Sequence, residues 1–103
     1  MVEDLLQKCN TVLKNYYGTR FHGLILYGSV ARGQAEPASD IDLLVLLDEH
    51  FNYFHELRII IELLYPIQLD SERLISAKPA WVLEFEQGRI QFYRNAKREG
   101  IAV

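Results

Sequence analysis

What the chain lacks narrows its function first. It has a single cysteine, Cys9, which excludes an internal disulfide and fits a reducing compartment. No apolar run approaches the eighteen or so residues that a membrane-spanning helix needs. The opening residues Met1-Val2-Glu3-Asp4 are acidic where a secretory signal is basic, so the expected location is the cytoplasm. Positive charge is not in excess: a net charge of −3 argues against general, phosphate-driven binding to nucleic acid. No Lys-Ser or Lys-Thr follows a glycine-rich run, which excludes a Walker phosphate loop. His22, His50 and His55 share no strand or helix spacing that would make a zinc ligand set. Repeats, low-complexity tracts and dividing linkers are also absent, and 103 residues suit one domain with one core.

The composition is that of an ordinary globular chain, 50% apolar and 24% charged. Residues 2–16 carry Leu5, Cys9, Val12 and Tyr16 at helical spacing, with Gly18 as the stop, and Cys9 on that apolar face reads as a buried small hydrophobe. Apolar runs predict a strand from His22 to Tyr27 and another from Ile41 to Leu47. Between them Val30 to Ala35 reads as a short helix, broken by a turn at Glu36-Pro37-Ala38, so that the strands pair antiparallel. Asp48 can cap a helix over 49–64, with Phe51, Phe54, the Arg58 stem, Ile61 and Leu64 covering the sheet. Pro66 then permits a third strand, Ile67 to Leu69, followed by a helical turn at Ser71 to Ala77 and a last helix from Pro79 to Arg98. The expectation is an α/β (α+β) domain with a small mixed sheet of about three strands flanked by helices.

One block carries chemistry: Gly28-Ser29, ten further residues, then Asp40-Ile41-Asp42. Residues two apart on a strand face the same way, about 6.6 Å apart, so Asp40 and Asp42 can converge on one divalent ion while Ile41 points into the core. Gly28 lets a backbone N–H approach a phosphate, and Ser29 adds a hydroxyl and opens a helical turn whose start favours anions. Arg32, one turn after Ser29, is within reach of triphosphate oxygens or is an exposed surface arginine. Ser39 suits the turn before Asp40. Among the basic residues near the carboxyl end, Lys97 and Arg98 suit the last turn of a helix; with Arg89 and Arg94 they otherwise make a docking surface for an acidic partner.

Tyr27-Gly28-Ser29-Val30-Ala31-Arg32-Gly33 and Ser39-Asp40-Ile41-Asp42-Leu43-Leu44-Val45 resemble the minimal nucleotidyltransferases of the DNA polymerase β superfamily. More narrowly they resemble the antitoxins of HEPN/MNT toxin-antitoxin pairs. The resemblance implies Mg2+-dependent transfer of AMP from ATP, with release of pyrophosphate, to a tyrosine of a HEPN-family toxin in a hetero-oligomer. Asp40 and Asp42 would hold the metal, and Gly28, Ser29 and Arg32 the triphosphate. The superfamily often uses a third carboxylate on the neighbouring strand. Asp70 is the candidate, although one alignment puts Gln68 there and Asp70 can instead be a helix N-cap. Neutralisation by binding alone, and transfer to a small molecule, remain alternatives.

Overall fold

The computed structural model describes every residue except Met1, Ala35, Pro37, Ala38 and Glu49. The order is α1 (Val2–Tyr17), a 3-10 turn (Gly18–Arg20), β1 (Phe21–Tyr27), α2 (Gly28–Ala31), β2 (Ile41–Leu47), α3 (Tyr53–Leu69), β3 (Ile75–Trp81), α4 (Val82–Gln87), α5 (Gln91–Glu99) and β4 (Ile101–Ala102). The four-stranded sheet runs β3-β2-β1-β4. β1 is antiparallel to β2 and to the two-residue β4, whereas β3 lies parallel to β2. A mixed sheet between helices is the expected class, with one strand more than anticipated.

Alternation along β2 divides the molecule. Ile41, Leu43, Val45 and Leu47 enter a core with Leu6, Cys9 and Leu13 of α1 and Ile60 and Leu64 of α3. Leu44 and Leu46 enter the opposite core with Ala80, Val82, Phe85 and Ala96. A strand apolar at nearly every position is what burial on both faces requires. Each fully buried leucine contributes about 1.5–3 kcal/mol.

Several expected elements fall elsewhere. α1 runs as anticipated, with Glu3 and Asp4 in its first turn and Lys14 in its last, as its dipole favours. Its buried stripe is Leu6, Cys9, Leu13 and Tyr17, one residue round from the one read, apart from Cys9. Tyr16 is therefore exposed. The short helix after β1 is Gly28–Ala31 rather than 30–35. Parts of that expectation and of the turn after it, at Ala35, Pro37 and Ala38, lie outside the described residues.

α3 begins at Tyr53, and Asn52 caps it by accepting the His55 N–H at 3.0 Å. Asp48 is not its cap, and Glu49 lies outside the described residues. The expected strand Ile67–Leu69 is the last turn of α3, with Pro66 inside the helix. The third strand is Ile75–Trp81, so the expected helical turn at 71–77 and the helix from Pro79 are also corrected. Pro79 sits in β3, at the sheet edge where a missing N–H is tolerated. The basic residues at the carboxyl end close the α4–α5 turn: Arg94 donates to the Gly88 carbonyl at 2.9 Å and Lys97 to the Glu86 carbonyl at 2.7 Å. These are the carbonyls that a helix end leaves unpaired.

Candidate active site

The end of β1, α2 and the start of β2 meet at one end of the sheet's two inner strands. Tyr27 pairs with Asp42 across the antiparallel ladder. The chain then turns through Gly28 at φ 77°, a left-handed conformation that other residues rarely adopt. Space makes the same demand. A Cβ at Gly28 would collide with the Asp42 carboxylate, its Cγ only 3.2 Å away. Gly28 therefore brings bare backbone against that carboxylate. α2 is closed by the Arg32 and Gln34 amides, which donate to the Gly28 and Ser29 carbonyls at 3.2 and 3.0 Å. Ser29 is half-buried in its first turn, where N–H groups lack intrahelical acceptors.

Asp40 immediately precedes β2 and is exposed. Ser39 anchors the approach: its Oγ accepts the Glu36 N–H at 2.9 Å while its own N–H donates to the Glu36 carbonyl at 3.0 Å. Asp42 is half-buried, and it holds its proton more tightly than an ordinary carboxylate. Burial is the first cause and the Asp40 charge the second, while Lys78 and Arg32 offset part of the rise. Desolvation and like charge outweigh the two cations, an imbalance that a divalent cation between the carboxylates would correct. The donor chemistry thus fits magnesium. Among the described residues no group of three or more His, Cys, Asp or Glu side chains is arranged to hold a metal ion, so this pair leaves coordination positions for phosphate oxygens.

Beside the pair lies a cavity of about 260 Å³ lined by Tyr27, Gly28, Arg32, Phe92, Asn95, Ala96 and Glu99. Phe92 meets Tyr27 edge-on at 5.2 Å, and the Tyr27 hydroxyl is pushed up to about 12, by burial first and then by the charges of Asp42 and Tyr53. Arg32 is held at the rim: its Nε donates to Gln34 Oε1 at 3.2 Å and its Nη1 lies 3.6 Å from Glu99 Oε2.

Lys78 is the residue that sequence reasoning missed. In β3, Ser76 pairs with Asp42 and Lys78 with Leu44, so Lys78 shares Asp42's face one strand over. Its ammonium stands 6.0 Å from the Phe92 ring centre. Thirty-six residues separate it from Asp42, and only the parallel pairing joins them.

Asp70 is placed elsewhere. It ends α3 and lines a groove of about 550 Å³ with Lys8, Ile41, Ile67 and Arg73. Ile41 faces the α1–α3 core, so this groove lies on the side of the sheet away from the Asp42 side chain. No helix follows Asp70 for it to cap. Gln68 clasps the chain entering β3, its Nε2 donating to the Arg73 carbonyl at 3.0 Å and its Oε1 accepting the Ile75 N–H at 2.7 Å. A carboxylate could make only the second bond.

Comparison with known proteins gives consistent matches. Residues 6–100 match the family described as nucleotidyltransferase domain. A protein of Methanocaldococcus jannaschii with the provisional name protein adenylyltransferase is 32% identical over 102 residues, covering 95% of this chain and 93% of its own. A second protein of that organism with the same provisional name is 38% identical over 52 residues, covering 50% of this chain and 49% of its own.

Proposed function

The chain belongs to the nucleotidyltransferase domain family of the DNA polymerase β superfamily, and from that premise we propose that it transfers AMP from ATP to a tyrosine hydroxyl of a separate protein. The acceptor in this reading is a HEPN-family ribonuclease toxin, which the modification neutralises, making this chain an antitoxin. One observation carries the chemistry: the Asp42 carboxylate, packed on the backbone of Gly28, its proton affinity raised by burial and then by Asp40 and partly offset by Lys78 and Arg32.

Asp40 and Asp42 would hold the magnesium. When bound, it would supply positive charge that offsets the negative charge of the triphosphate, which otherwise repels an attacking oxygen. The Gly28 backbone and Ser29 hydroxyl hold the β- and γ-phosphates, and Arg32 and Lys78 face the charge that develops on them. The acceptor hydroxyl oxygen attacks the α-phosphorus in line and releases its proton to solvent, the bond from the α-phosphorus to the α,β-bridging oxygen breaks, and pyrophosphate leaves. Both sheet faces are occupied by the chain's own helices, and this favours an acceptor brought by another molecule. The provisional name of the two relatives favours a protein acceptor.

The absence of a third clustered carboxylate among the described residues favours one competing reading, neutralisation by binding alone. Incubating a purified HEPN-family protein with this chain, ATP and Mg2+, and weighing it intact, separates the two. Mass gained in whole AMP units is the expected result. An unchanged mass with a stable complex assigns neutralisation to binding.

A further inference from the structure

α3 has a second apolar stripe that faces away from the sheet. Its inner residues are Glu56, Ile60 and Leu64. On the outside Phe54 is 77% exposed, Ile61 56%, Tyr65 55% and Leu69 65%, with exposed Arg58 among them. The spacings of four, three, four and four residues align these side chains along one face of a helix about 25 Å long. Isolated exposed apolar residues need no explanation, but a contiguous row over a whole helix does.

The row is also close to symmetric about its middle, Ile61 falling one residue from its own image. Rotation by a twofold axis passing between Ile61 and Glu62 exchanges position 54 with 69 and 58 with 65. We infer that α3 pairs antiparallel with α3 of a second copy of this chain, forming a twofold-symmetric dimer. In that pairing Phe54 of each copy meets Leu69 of the other, the Ile61 side chains meet near the axis, and the one charge in the row, Arg58, lies over the face of Tyr65 rather than against another arginine. A large side chain exposes about 200 Å² when fully open, so the row removes roughly 500 Å² per copy and about 1,000 Å² in the pair, where specific interfaces begin. The dimer is accordingly weak, and it is independent of the proposed transfer reaction.

Sedimentation equilibrium on the wild-type chain at about 100 µM, above the micromolar dissociation constants that modest interfaces reach, should show dimers. Arg58→Glu should weaken dimerisation about tenfold, since each dimer loses two such contacts. The double variant Arg58→Glu/Tyr65→Arg should return the dissociation constant to within about threefold of wild type, because the antiparallel register sets the new opposite charges face to face. Unchanged circular dichroism confirms that each variant is folded. A monomeric wild-type chain at that concentration overturns the inference, including the case in which the row then proves to bind a different protein. A double variant no better than the single one overturns it as well.

Discussion

In the proposed reaction Asp42 serves the transfer at the expense of stability. Its proton affinity is raised by burial and by Asp40, so its folded-state pKa lies above the unfolded value. The ionised carboxylate therefore costs stability above the folded pKa, and that cost vanishes as pH falls below the unfolded one. Asp42→Asn should raise the melting temperature at neutral pH, leave it nearly unchanged near about pH 3, and abolish AMP transfer. Thermal melts at both pH values and a transfer assay on the same sample check this. A lower melting temperature at neutral pH would contradict the electrostatic account. Lys78 and Asp70 make a contrasting pair. Lys78→Met should lower transfer by about tenfold or more while Lys78→Arg retains most of it, the loss expected of one charge-stabilising donor. Asp70→Asn should leave transfer within a few fold and slightly stabilise the chain, because an anion at the end of a helix opposes its dipole. A hundredfold loss in Asp70→Asn would restore to it the third-carboxylate role. Gly28, Ser29, Asp40 and Asp42 could be read from sequence because their geometry is local: two strands and the turn between them. Lys78 could not, because its place depends on which strand pairs with β2.

At the scale of elements the same division holds. β1 and β2 were legible from apolar runs bounded by Gly28 and Asp40. α1 was legible in extent and misread in face by one residue, since Leu5 and Leu6 offer equally apolar choices. α3 misled because it is apolar on two sides. Phe54, Arg58, Ile61 and Leu64 made a regular stripe, yet of these four only Leu64 enters the core, together with Ile60. β3 was hidden because Lys78 and Pro79 break the strand pattern, and Pro79 is tolerated only because β3 is an edge. The passage from α3 to β3 is held by Gln68, whose amide bonds both Arg73 and Ile75. Gln68→Glu keeps the acceptor and loses the donor, leaving the Arg73 carbonyl without that bond, and should cost about 1–2 kcal/mol. Urea titration reads this as a lower midpoint. An unchanged midpoint would mean that the clasp contributes nothing to stability.

For the molecule as a whole, the sheet is covered by α1 and α3 on one face and by α4 and α5 on the other, with the carboxylate pair at the end of the inner strands where β1 ends and β2 begins. No helix among the described residues is long and apolar enough to cross a membrane. A domain of this size encloses its own core and leaves Asp40 exposed at the strand ends, which suits the proposed acceptor that docks from outside. In the proposed reaction this end of the sheet transfers the α-phosphate of ATP, as AMP, to protein. The direct measurement compares ATP labelled at the α- or the γ-phosphate, incubated with Mg2+, this chain and a purified HEPN-family protein. Label from the α-position alone should become covalently attached to the partner, and Asp42→Asn should attach none. Label attached from the γ-position, or equal α-labelling by Asp42→Asn, would contradict it.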